Sequence, residues 1–291
     1  MNEPKRHHSV PEMLQRRFAD GRGRLWFFDK DRPELGIRDT SASSLFVRNR
    51  QYTLKQSDGS RDWSLETLYS ELEGEMHVLI DKVVPAIMRS EYPGLAPLER
   101  ELLYRYIYEQ WRRVPEVYDK LISDEAFATM HQATVAEYEK KYPHRPVTEE
   151  QRNRFADPGY LKAERQRARV LSLSRPSSTA LAVAEKKGLY FVRTAPNRSF
   201  LIGSAPVVKL TPPGRSDLSM PDVELWLAIH PNVAIVLAGD QSKAGMMSLP
   251  AGYVRYINHA IAKQSEVFAG RDKALVASVA RNFGCPPRIP F

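Results

Sequence analysis

The chain has one cysteine, Cys285, among 291 residues, and that scarcity removes a class of answers. A lone thiol closes no internal disulfide and builds no thiolate metal centre. Its setting, Gly284-Cys285-Pro286-Pro287, reads as a tail and offers nothing to activate a nucleophile. No run of about twenty apolar residues occurs, so no membrane-spanning helix is expected. The opening Met1-Asn2-Glu3-Pro4-Lys5-Arg6 leads into no apolar stretch of the secretory kind, and the expected location is cytoplasmic. A Walker-type phosphate loop, a zinc-finger spacing and a serine-hydrolase elbow are also missing. Gly21-Arg22-Gly23 is too short for a dinucleotide fingerprint, so there is no nucleotide cofactor motif. No internal repeat and no low-complexity segment interrupts the chain.

What remains is ample for a core: 42% of the residues are hydrophobic. The expectation is a single domain over 1–291, or two lobes: a mainly helical 1–175 with an N-terminal strand, and a 176–291 lobe of antiparallel sheet plus terminal helices. The net charge is +8 and uneven, at +4 over residues 1–62, −3 over 63–170 and +7 over 171–291. Positive ends of this kind favour an anionic partner, either nucleic acid or an anionic small molecule.

Periodicity divides the chain by type. A short helix over Pro11 to Ala19 precedes a strand over Arg24 to Asp29, and a second extended segment is expected over Ser44 to Leu54. From Trp63 to Met88, Leu65, Leu68, Leu72, Met76, Leu79 and Val83 recur at spacings of three and four, the stripe of a core-facing helix. A second helix opens at Pro97, with Leu98, Leu102, Tyr106 and Trp111 among its expected buried positions, and ends near Pro115. A third covers Ser123 to Lys141, and a charged one begins at Thr148, breaks near Asp157-Pro158-Gly159 and resumes. After a helix over Thr179 to Lys187, the last third reads as short strands: Leu189 to Thr194, Ser199 to Ile202, Val207 to Leu210, Leu225 to Ile229 and Ala234 to Leu237. His230-Pro231-Asn232 turns a hairpin. Tyr253 to Phe268 and Asp272 to Asn282 return to helix. The fold class is therefore α+β, with a helical middle region packed with a C-terminal antiparallel β-sheet.

The densest chemistry lies at the front. His7-His8-Ser9-Val10-Pro11 leads into Leu14, Arg17 and Phe18. Imidazole titrates near neutrality and ligates divalent metals. Adjacent residues on an extended chain point opposite ways, so one histidine can enter a site while the other anchors the segment. Arg17 can grip a carboxylate or phosphate bidentately. The plain alternative is a histidine that bonds backbone carbonyls beside a helix start. On the first long helix, Glu73, His77 and Asp81 fall every four residues on one face, as metal ligands or as an ordinary solvated face. Gln110 and Arg113, three apart, can face one cleft, with Arg113 binding an anion or clamping a carboxylate, or merely closing the helix end.

These residues resemble the bacterial proteins grouped as domain of unknown function family 4238. The resemblance runs from His7-His8-x-Val10-Pro11-x-x-Leu14-x-x-Arg17-Phe18 through Gly23 to Asp29, Leu72-Glu73 and Gln110-x-x-Arg113-x-Pro115. It continues to Phe200–Val207, the hairpin Glu224–Ala238 and Asn258. It implies that His7, His8, Arg17, Glu73, Gln110, Arg113 and Asn258 converge, and it brings no assigned activity. One departure stands out: where relatives carry Ser-Asp-x-Pro, this chain has Gly203-Ser204-Ala205-Pro206 and lacks the acid.

Two functions follow as expectations. The first is a metal-dependent hydrolase acting on a phosphodiester or nucleotide, with a divalent metal on His8 and Glu73 and with His7 or His8 as general base. Arg113 would stabilise charge, and Arg17, Gln110, Ser204 and Asn258 would bind substrate. The alternative is a non-catalytic anion- or nucleic-acid-binding regulatory protein. In the nucleic-acid version, Arg193, Arg198, Lys209 and Arg215 supply charge, and Tyr190 or Phe191 supplies stacking.

Overall fold

The structure, a computed structural model, describes residues 6–49, 52–55, 60–114, 118, 122–175, 177–215, 217–240 and 243–284. Cys285, Pro115 and part of the Asp58-Gly59-Ser60 turn lie outside the described residues. Of His7 only the backbone is described.

The strands are β1 (Arg6–His8), β2 (Arg24–Asp29), β3 (Arg38–Ser41), β4 (Val47–Asn49), β5 (Leu54–Lys55), β6 (Arg61–Asp62), β7 (Gly188–Thr194), β8 (Ile202–Gly203), β9 (Val207–Leu210), β10 (Glu224–His230), β11 (Val233–Ala238), β12 (Ala244–Leu249) and β13 (Val267–Gly270). The helices are α1 (Glu12–Arg17), α2 (Ser64–Met88), α3 (Pro97–Arg112), α4 (Asp124–Lys141), α5 (Glu149–Ala156), α6 (Pro158–Ser174), α7 (Ser178–Glu185), α8 (Ala251–Gln264) and α9 (Lys273–Ala280). The protein is α+β, with its middle helical from α2 to α6.

The chain divides into two compact units. The larger holds residues 1–51, 68–114 and 177–291. Its main sheet has the order β12-β7-β11-β10-β9, and a second sheet has the order β3-β2-β13-β8. Alternation does not mark the main strands, because β10 and β11 are buried almost throughout. They read as continuous apolar runs, as strands covered on both faces do.

Two expectations about the sheet need correction. The main sheet is mixed, since β12 pairs with β7 in parallel. The second sheet is not C-terminal either, since β2 and β3 come from the first fifty residues and β13 from the last thirty. Glycine explains the first. β11 runs antiparallel to β7 and finishes opposite Gly188. The chain must then step past the start of β7 to lay β12 on its far side. A Cβ on Gly188 would lie 2.7 Å from Asp240 O and 2.8 Å from Ala238 O, so only glycine lets the connection pass this close. The second correction includes a segment expected to be helical: α8 stops at Gln264, and Val267–Gly270 is strand β13.

The helical stripe of α2 is realised. Leu65, Leu72, Met76, Leu79 and Val83 are buried, and Leu68 is half-buried. On α3, Leu103, Tyr106 and Ile107 are buried, whereas Leu98, expected inside, is exposed in the first turn. The apolar positions of the front signature are structural: Val10, Leu14 and Phe18, four apart, are fully buried.

The smaller unit holds residues 52–67 and 115–176. Its helices start on side-chain caps: Ser123 accepts from Ala126 N, Thr148 from Gln151 N in a capping box, and Asp157 from Tyr160 N. An aromatic cluster joins them, with His131 at 5.5 Å from Phe155 and 5.8 Å from Tyr160 between ring centroids.

Candidate functional site

Arg113 caps the C-terminal end of α3 and is 1% exposed. Its Nη1 donates to Glu73 Oε1 at 2.6 Å, its Nη2 to His8 O at 3.2 Å and its Nε to Ser9 O at 3.2 Å. Its guanidinium also lies over the Tyr69 ring, 5.1 Å from the centroid. One side chain thus ties the strand end at His8-Ser9 to α2 and α3. A buried guanidinium is tolerable only when its donors are met by a carboxylate and carbonyls, and here they are. Beside it, Glu109 accepts from Tyr69 OH and pairs with Arg112 at 2.9 Å. Burial pushes the Glu109 carboxyl up, against the pull of Arg112.

The face of α3 that carries Arg113 also carries Tyr106 and Gln110. Both are fully buried. The Tyr106 hydroxyl and both amide atoms of Gln110 have no hydrogen-bond partner among the described residues. Burial, and then the Glu73 carboxylate, push the Tyr106 hydroxyl well above its ordinary value, so it stays protonated.

One turn beyond Glu73, the rest of the α2 ladder meets Arg17 at the end of α1. Arg17 Nη2 donates to Asp81 Oδ1 at 2.6 Å and to His77 Nδ1 at 2.9 Å. His77 Nε2 lies 3.7 Å from Asp81 Oδ2. These groups line an open cleft of about 530 Å3 with Glu12, Met13 and Arg16. Arg271 Nη2 donates to Arg17 O at 3.4 Å. Burial, then the charges of Arg271 and Arg17, lower the His230 imidazole to about 4.

The expected constellation is therefore partly assembled. Glu73, Arg113 and the backbone of His8 are in direct contact, and Arg17 joins the same helix through His77 and Asp81. The His8 ring makes its contact elsewhere, with Nε2 3.2 Å from Ser43 O. Ser204 lines a different hollow, of about 300 Å3, with Ser9 and Asp29. Its Oγ accepts from Glu266 N at 3.0 Å and Val267 N at 3.4 Å, so the hydroxyl holds the start of β13. Asn258 lines a third cavity. Its amide accepts from Leu201 N and donates to Ser199 O, both at 2.8 Å, and pins the segment ahead of β8.

As for metal ligands, the Glu73 oxygen that would bind a cation already faces a guanidinium at 2.6 Å, whose charge repels a second cation. Among the described residues no group of three or more His, Cys, Asp or Glu side chains is arranged to hold a metal ion. The groups expected to contact nucleic acid are largely committed. Phe191 is fully buried, Arg193 donates to Ser90 Oγ at 2.8 Å and Arg215 pairs with Asp222. Lys209 sits over the Trp111 ring, and burial lowers its ammonium.

Sequence reasoning missed Tyr69, Tyr106, His230 and Arg271 as members of these clusters. Tyr106 could have been found, since it stands four residues before Gln110 on the Arg113 face. Nothing local marks Arg271, which reaches Arg17 across 254 positions of sequence.

An α+β protein whose front segment is locked by a buried arginine defines the class. The chain belongs to the family described as "Protein of unknown function (DUF4238)", whose sequence model matches residues 6–273. No curated protein and no solved structure shows a match. Among the described residues no helix is long and apolar enough to cross a membrane.

Proposed function

We propose that this chain is a non-catalytic anion-binding protein, and that its N-terminal signature is a latch rather than a reaction centre. The observation that supports this most is Arg113, whose guanidinium is committed to Glu73 and to the carbonyls of His8 and Ser9. A group that lowers a barrier needs a donor, an acceptor or a charge directed at the reacting atoms. Glu73 and Arg113 direct theirs at each other and at backbone. The net charge of +8 supports an anionic partner.

A second reading, hydrolysis of a phosphodiester or nucleotide, draws on one observation. His77 and Asp81 are each more than half exposed beside Arg17 in the open cleft, where an imidazole can move a proton.

Untagged protein tests both readings. The expected result is no stoichiometric metal and no turnover of an activated phosphodiester. Arg113→Met should cost about 3–5 kcal/mol in urea unfolding, because it leaves Glu73 and the carbonyls of His8 and Ser9 without their donor. Stoichiometric metal that disappears in His8→Ala, together with metal-dependent hydrolysis, overturns the proposal. So does hydrolysis abolished by His77→Ala in a variant that unfolds at the wild-type midpoint.

A further inference from the structure

The cavity that Asn258 lines, of about 620 Å3, takes no part in the latch. It lies where α8, α9 and the loop before β8 meet, within the larger unit, and its volume suits a small-molecule site. Arg198, Arg255, His259 and Arg281 contribute to its wall. Among the described residues none of these four side chains has an ion-pair or hydrogen-bond partner. The acid at the rim, Asp272, is engaged, because it accepts from Ala274 N at 2.7 Å and caps α9.

A second, independent feature points the same way. α8 begins at this cavity, with Ala251 and Gly252 in the wall, and Pro250 before them provides no side-chain cap. The first amide groups of a helix have no acceptor within it and carry the positive end of its dipole. Three arginines, a histidine and a helix start without a side-chain cap thus line one concave space. Val254, Leu275 and Val279 give it an apolar side.

We propose that this cavity binds a phosphorylated small molecule. The phosphate takes the guanidiniums and the α8 amides, since its terminal oxygens match bidentate arginine donors and helix starts together. The body of the ligand lies on Val254 and Leu275. Asn258 is a positioning residue here, because both ends of its amide hold the segment that carries Arg198. A cavity of this size takes one terminal phosphate and its substituent rather than a continuous strand. The inference extends the binding reading by naming a place and a ligand class, and it depends on that reading only for the lack of turnover.

Calorimetric titration of the full chain with AMP, inorganic phosphate and adenosine tests it. AMP and phosphate should bind, and AMP should exceed adenosine by about tenfold or more. Arg255→Ala and Arg281→Ala, both exposed, should each weaken AMP by about tenfold at an unchanged melting temperature. Leu275→Trp should exclude AMP and spare inorganic phosphate. Equal affinity for AMP and adenosine, no effect of either arginine variant, or oligonucleotide binding that AMP does not displace overturns the assignment. Metal-dependent hydrolysis of AMP would overturn the binding reading and leave the cavity's ligand class standing. Failure of AMP and phosphate to bind metal-free protein overturns the cavity alone.

Discussion

A polar side chain bonded to backbone can set a pH response, and half-buried His230 shows how. Its Nδ1 accepts from Asn232 N at 3.1 Å, a bond that needs the neutral ring. Burial, reinforced by Arg271 and Arg17, lowers its pKa from 6.5 to about 4. Between these values the unfolded chain takes up the proton and the folded chain resists it. Stability is therefore full above about pH 6.5 and falls progressively towards about pH 4. His230→Asn, which keeps an acceptor in place, should flatten the urea midpoint across that window; an unchanged slope would remove His230 as the cause. The same scale shows what was legible in the sequence. The meeting of Glu73 with Arg113 is implied by the family resemblance, which groups the two, and agrees with the carboxylate clamp open to an arginine at a helix end. The roles of Ser204 and Asn258 are not legible, because a hydroxyl or amide that holds backbone looks in sequence like one that holds substrate. Gly203 is comparable: a Cβ there would lie 2.9 Å from Ser265 Cβ, a constraint set 62 residues away.

At the scale of elements, strong periods were readable and weak ones were not. α2 is legible because its apolar residues repeat over 25 residues, long enough for a helical stripe to stand out. β12 has the sequence Ala-Gly-Met-Met-Ser-Leu, with no β-branched or aromatic residue, and nothing in it announces a strand. β13, Val-Phe-Ala-Gly, continues the apolar pattern of α8 and is strand only because β2 and β8 flank it. The mixed sheet then rests on one close passage. Gly188→Ala should push the connection between β11 and β12 outward and detach β12 while β7, β10 and β11 stay paired. Hydrogen exchange would report this as lost protection over Ala244–Leu249 alone. Retained protection there would mean that the connection can shift without loss of the pairing.

At the scale of the whole molecule, the second sheet, which holds β2 and β3, is completed from the far end of the sequence. Phe28 pairs with Phe268, and Phe27 with Ala269. Removing β13 and α9 by ending the chain at Gln264 should therefore abolish the cooperative urea transition of the larger unit rather than trim its edge; a sharp transition in the shortened chain would show that β2 holds without its neighbour. The main hairpin of β10 and β11 was readable because it is local, whereas this closure was not, because no local pattern encodes a partner 240 residues away. The order in which a ribosome makes the chain gives that pairing a timetable. Phe27 and Phe28 emerge early, yet the strand that pairs with them arrives about 240 residues later, on the order of tens of seconds at ordinary elongation rates. For that interval β2 is paired on one edge only, with β3, and until Arg113 is added the segment before it also lacks its latch, so any factor that shields growing chains would meet that open edge first.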